Sequence, residues 1–167
     1  MRTHITKQYF TEALFRLLEK KKYNEITVVE LVKVSGASKA SFYRNYLNMD
    51  SIVEEYLENL CKDIIERYPI TQNNMKKEVE GIFEGLMQYQ RELTLLRDHQ
   101  LLDKMNKYIY QATLSEINRL EVFHNEYQPY FFAGASIGLI DGWITNGFKD
   151  SPETMSEIFM LSLKGYM

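Results

Sequence analysis

Only three prolines, Pro69, Pro129 and Pro152, interrupt 167 residues, and the stretches between them repeat their apolar residues at helical spacing. Proline removes a backbone donor and clashes with the preceding turn, so its scarcity leaves long helices uninterrupted. No stretch alternates apolar and polar residues as a half-buried strand would. The chain is therefore expected to be all-α, without internal repeats or low-complexity tracts. Hydrophobic residues at 45% suffice for a real core, and charged residues at 26% are ordinary for a folded domain.

Phe10, Ala13, Leu14, Leu17 and Leu18 form one apolar stripe, which predicts a first helix from Thr6 to Lys20. Lys20, Lys21 and Lys22 then suit the negative end of its dipole. Thr27 and Glu30 have the spacing of a capping box, so a short helix should run from Val28 to about Val34. Gly36 suits the left-handed position that ends it. Ser38 can cap a second short helix, Lys39 to about Tyr46, and Asn48 a longer one from Met49 to about Tyr68. Further helices are expected near Met75–Tyr89, Arg91–Arg97, Leu101–Leu120 and Pro129–Gly147. A last one should begin at Ser151-Pro152 and continue to near Gly165.

Two short helices about a glycine turn, set between longer ones, suggest a helix-turn-helix. In the second of them Phe42 and Tyr46 share a face and can pack inward. Lys39, Ala40, Ser41, Tyr43, Arg44 and Asn45 are left outside, small or hydrogen-bonding as a surface entering a major groove requires. A generic tri-helical fragment with a polar face fits the same pattern. Charge separates the two readings weakly. Residues 1–50 hold nine Lys/Arg against five Asp/Glu, while the remainder holds eleven against eighteen. A basic head on an acidic body is expected when only the head meets phosphate.

The run from Ile26 to Tyr46 (ITVVELVKVSGASKASFYRNY) closely resembles the DNA-binding motif of TetR-type transcriptional regulators. The likeness extends over about residues 6 to 60. Gly142 to Glu153 (GWITNGFKDSPE) also looks like the close of the penultimate helix in a TetR subgroup. The resemblance implies a homodimer on a palindromic double-stranded DNA operator, acting as a repressor or, since the family includes activators, as an activator. It implies that Thr27 touches phosphate, that Lys39, Ala40, Ser41 and Arg44 face base edges, and that Tyr43 meets phosphate or a thymine methyl. Ser38 and Asn45 complete the expected DNA-binding set. One departure stands out. After the closing aromatic the family usually has Lys-Asn-Lys, whereas this chain has Leu47-Asn48-Met49 and then Asp50, so one phosphate contact is missing and non-specific affinity should be low.

The expected domains are a helix-turn-helix DNA-binding domain at 1–46 and a helical effector-binding and dimerisation domain at 47–167. Gly134, Gly138 and Gly142 recur four apart in one helix. Interior glycines cost about 1 kcal/mol each relative to alanine, so they suggest close approach of another helix on that face. A helix of the same chain could supply it. The resemblance points instead to a two-fold partner, because the last two helices of the family form a four-helix dimer bundle. The middle of the chain is rich in Tyr, Phe and Met, among them Phe83, Met87, Tyr89, Met105, Tyr108, Tyr110, Phe123, Tyr127, Tyr130 and Phe131. This density suggests a cavity for an apolar or aromatic small-molecule effector, with Arg97, Asp98 and His99 as polar handles. The rival reading is a regulator of the same kind that lacks an effector and acts through contact with another protein.

Enzymatic activity is not expected. His4, His99 and His124 lie far apart, and no metalloprotease, phosphate-loop or nucleophile-elbow motif occurs. Glu121 and His124 match one Glu-x-x-His of a di-iron bundle, but such sites need two copies with glutamates from two further helices. A helical metal enzyme is thus the remote alternative, and neither metal nor cofactor is expected. Glu54, Glu55 and Glu58 read as a solvated helix face. Cys61 is the single cysteine, so neither a disulfide within the chain nor a cysteine-based metal cluster can form. The polar amino terminus lacks a secretory pattern, and the apolar run 131–148 carries Asp141 and Asn146, costly inside a bilayer. A buried helix, a cytoplasmic location and no membrane partner are expected.

Overall fold

The computed structural model describes residues 2–121 and 125–164, and the described residues are helical with no strand. The helices are α1 (Arg2–Leu18), α2 (Val28–Ser35), α3 (Lys39–Asn45), α4 (Asp50–Arg67), α5 (Met75–Met87), α6 (Gln90–Asp98), α7 (Asn106–Leu120), α8 (Gln128–Thr145) and α9 (Pro152–Lys164), with 3-10 turns at Tyr23–Glu25 and Leu102–Met105. The all-α expectation holds, and most boundaries fall within two residues of those expected. One expected helix divides. Between 101 and 120 the chain first makes the 3-10 turn, which eclipses Leu102 and Met105 on one side and buries both, and only then enters α7.

The first three helices pack around aromatic rings. Phe10 of α1 meets Phe42 of α3 edge to face at 5.6 Å and Tyr46 at 6.1 Å, and Phe42 has no exposed surface. α4 leads from this head into the body, where α7 packs along α8 and α5 along α9. The apolar core is continuous from Phe10 and Phe42 through Leu57, Ile64 and Leu96 to Trp143 and Met155. In the body Trp143 stands edge-on to Phe83 at 5.3 Å, and its indole N–H donates to the Asp150 carbonyl at 2.9 Å, fixing the α8–α9 turn. Ile117, Phe132 and Leu163 form a smaller cluster where α7, α8 and α9 meet. Gly81 in α5 answers a packing demand not evident in the sequence, because a Cβ there would fall inside the Tyr68 ring at the end of α4.

Two expectations are corrected here. The run 131–148 is not a helix buried all round: α8 buries Phe132, Ala133, Ser136, Ile140, Trp143 and Ile144 but leaves Phe131, Gly134, Gly138 and Asp141 exposed. The Glu54–Glu58 face is also not simply solvated. Glu55 accepts from Lys7 of α1 at 2.7 Å and Glu54 pairs with Lys107 of α7 at 3.2 Å, so α4 is held by ion pairs to head and body alike. Among the described residues, no helix is long and apolar enough to cross a membrane.

Candidate nucleic-acid interface

The interface is built from caps upward. Thr27 ends an extended segment, and its hydroxyl accepts from the Glu30 amide at 3.3 Å while the Glu30 carboxylate accepts from the Thr27 amide at 3.0 Å. Lys21 pairs with the same carboxylate at 2.6 Å, and these donors hold the carboxyl at about 2, well below the usual range. Gly36 closes α2 at φ +71°, a left-handed conformation open to glycine at little cost. Ser38 then caps α3, accepting from the Ser41 amide at 3.1 Å. Asn48 accepts from the Ser51 amide at 3.0 Å and opens α4, as its place in the sequence implied.

These caps fix which face of α3 turns outward. Phe42 and Tyr46 are buried against α1, while Lys39, Ala40, Tyr43 and Arg44 are exposed and Ser41 and Asn45 half-buried. Lys39 and Arg44 make no ion pair with any described residue, so both charges face solvent. Thr27 and Ser38 are exposed at the first turns of their helices, where free backbone N–H groups can meet phosphate. Asn45 differs from expectation in part, because its amide donates to the Ser41 carbonyl at 2.7 Å and only the side-chain oxygen is left for a partner. The position of the usual phosphate-reaching lysine, the second of Lys-Asn-Lys, is held by half-buried Met49, while Leu47 at the first is 85% exposed.

In the body, Gly134, Gly138 and Gly142 leave an open face: a Cβ built on any of them meets no heavy atom within 4 Å. Exposed Tyr130 and Phe131 lie on the same helix and exposed Tyr127 just before it, and Ile158 and Leu161 are exposed on α9. Between α4, α5, α7, α8 and α9 lies a cavity of about 110 Å³. Apolar side chains including Ile64, Phe83, Ile109, Leu139 and Phe159 line it, with Thr113, Glu116 and Ser136 as the polar exceptions. Of the Tyr/Phe/Met positions singled out in the sequence, Phe83 and Met105 line it and most others do not. Branched aliphatics supply most of the wall, and their spacing is that of any core, so nothing in the sequence marks them out.

Arg97, Asp98 and His99 are not handles in this cavity. Arg97 donates to carbonyls at the end of α8 and His99 to a carbonyl at the end of α1. His124 and its neighbours 122–123 lie outside the described residues, so the Glu121–His124 pair is not placed.

Residues 87–165 match a TetR-type family described as "Transcriptional regulator C-terminal region". The body of the chain thus resembles the carboxyl-terminal region of TetR-type transcriptional regulators. The matched family is one of regulators, not enzymes. The match covers the body from the end of α5 onward and leaves the helix-turn-helix to be judged by its own geometry. Among solved structures, the "Dihydroxyacetone kinase operon activator DhaS" superposes with a TM-score of 0.64 at 13% identity, over 96% of this chain and 97% of that one. At that identity the likeness speaks for a shared TetR-like fold. No curated protein matches.

Proposed function

We propose that this chain is a TetR-type regulator that binds a palindromic DNA operator as a homodimer, each α3 entering one major groove. It would act in the cytoplasm as a repressor or activator. The observation that carries this reading is the outward face of α3: Lys39, Tyr43 and Arg44 stand exposed over a buried Phe42–Tyr46 spine, between two side-chain-capped helix starts. The division would be 1–46 for DNA and 47–167 for assembly and effector. The open Gly134–Gly138–Gly142 face supports pairing of α8 with a second copy, since a helix can approach there to backbone distance.

A gel-shift titration against the DNA upstream of the protein's own gene tests the reading. Arg44 carries five donors, and a guanine edge offers two acceptors in the major groove. Arg44→Ala should cost about 1–3 kcal/mol and relax preference at one base pair per half-site. Tyr43→Phe should weaken all sequences alike, because a phosphate contact carries no base information. Unchanged binding by both variants would remove α3 from the interface.

For control of the DNA-bound state, the cavity supports a small apolar effector. Its volume is on the order of that which holds a benzene ring, smaller than an ordinary drug-sized site. A ligand at 100 times its Kd should stabilise the protein by about 2.7 kcal/mol, seen as a rise in Tm. The small volume keeps a second reading alongside it, a regulator controlled by protein contact. A flat thermal-shift response across small monocyclic aromatics and short aliphatics would favour that reading.

A further inference from the structure

The carboxyl end of α6 joins two helices that belong to different tasks. Leu18 ends α1 in the head, and Ile144 and Thr145 end α8, whose open face is the proposed dimer contact. Carbonyls in the last turn of a helix have no partner within it and must find one elsewhere. The Leu18 carbonyl lies 2.8 Å from His99 Nε2. A carbonyl only accepts, so that ring nitrogen carries the proton. The Ile144 carbonyl, which already accepts from the Gly147 amide at 3.0 Å, accepts a second bond from Arg97 Nη1 at 3.0 Å, and the Thr145 carbonyl lies 3.4 Å from the same nitrogen. Asp98 grips the other side of the guanidinium, at 2.9 Å from Nε and 2.7 Å from Nη2, and so aims Nη1 at α8.

The two donors cannot swing independently. The α6 end is closed by Leu101 N–H to Leu96 carbonyl at 2.8 Å and Gln100 N–H to Arg97 carbonyl at 2.9 Å, with Gln100 left-handed at φ 59°. Leu93 and Leu96 are fully buried behind it. At its opposite end α6 is tied to the head again, by the ion pair of Arg91 with Glu19. α6 is thus a strut with the head on one side and α8 on the other.

We infer that Arg97 and His99 are positioning residues that fix the orientation of the DNA-binding head relative to α8, and with it the half-site spacing a dimer can read. The consequence for spacing rests on the homodimer proposed above; the orientation itself is a property of one chain. In a two-fold assembly the separation of the recognition helices follows from how each head sits on its own α8.

The test measures that orientation without DNA. Nitroxides are placed at V29C in the head and K149C beyond α8, both exposed positions, and the labelled chain is diluted into unlabelled protein so that only the distance within a chain is read. Cys61 is 8% exposed and burial pushes its thiol up to about 12, so it stays unlabelled. The parent should give one narrow distance distribution. H99A and R97A should each broaden it about twofold while the melting curve stays cooperative. H99Q, which keeps a donor, should restore much of the narrow peak. Should H99A fail to fold, R97A against R97K decides, since lysine keeps the charge but cannot hold Asp98 and α8 together. Distributions of H99A and R97A that superimpose on the parent's would overturn the assignment. Failure of the parent to bind DNA or to dimerise would defeat the proposed function and leave this measurement intact.

Discussion

Phe42→Ala is expected to cost about 3–5 kcal/mol and to melt the head, because it removes the ring on which three helices close. Phe42 is wholly buried and touches Phe10 edge-on at 5.6 Å, Tyr43 at 5.1 Å and Tyr46 at 6.0 Å. No other side chain of α3 lies so deep, and α3 has only seven residues. A helix that short is not stable by itself and depends on its packing face. Removing the ring leaves a void flanked by Phe10 and Tyr46, and rings held by helix backbones collapse poorly into such space. For a chain of this length the loss corresponds to a fall in Tm of roughly 10 °C, to be followed by calorimetry together with near-ultraviolet dichroism. Arg44→Ala, on the exposed side of the same helix, should leave the melt within about 0.5 kcal/mol. The pair therefore separates folding from recognition. A small Tm change for Phe42→Ala would mean that α3 is held by something other than this spine, and the outward face argued for Lys39 and Arg44 would lose its foundation.

The head was legible in the sequence because each of its instructions is local. A threonine three residues before a glutamate, a glycine eight residues after the helix start, and a serine three residues before an amide it can accept from are all read within one turn. The structure realises each: Thr27 with Glu30, Gly36 at positive φ, Ser38 with Ser41. The body was legible only as helices. The contacts that fix it join residues far apart in sequence, such as Lys7 with Glu55, Glu54 with Lys107, and Arg97 with Ile144. A charged side chain on a helix surface looks the same in sequence whether its partner is solvent or a helix forty residues away. Arg97-Asp98-His99 illustrates this. A cluster of polar residues at a helix end suggested ligand handles, and the structure uses it to tie down the carbonyl ends of two other helices. The cavity escaped for a related reason. Ile64, Ile109 and Leu139 have helical core spacing, and only the relative placement of five helices decides whether core positions meet one another or leave space.

Gly138→Leu is expected to abolish the dimer while leaving the folded monomer intact or slightly more stable. A Cβ at position 138 meets no heavy atom of its own chain within 4 Å, so the leucine side chain enters open space in the monomer. Leucine is also a far better helix former than glycine, a gain of roughly 1 kcal/mol in the middle of α8. The open space is lost when a second α8 lies along this face. Two-fold symmetry places the new side chain twice in one interface, and overpacking costs about 1–3 kcal/mol at each site. Gly134 and Gly142 lie one turn to either side, so the partner helix cannot tilt away from Leu at 138 without losing its approach there. Sedimentation across a concentration series reads the outcome: the parent should approach twice the 19.8 kDa chain mass, the variant should stay at it. Linkage gives a second readout, because the Tm of a dimer rises with concentration and that of a monomer does not. Gly81→Ala is the control, since its methyl would fall inside the Tyr68 ring and should lower stability without touching this face. A Gly138→Leu protein that still sediments as the parent dimer would place the interface elsewhere, with the exposed Ile158 and Leu161 of α9 the next surface to mutate.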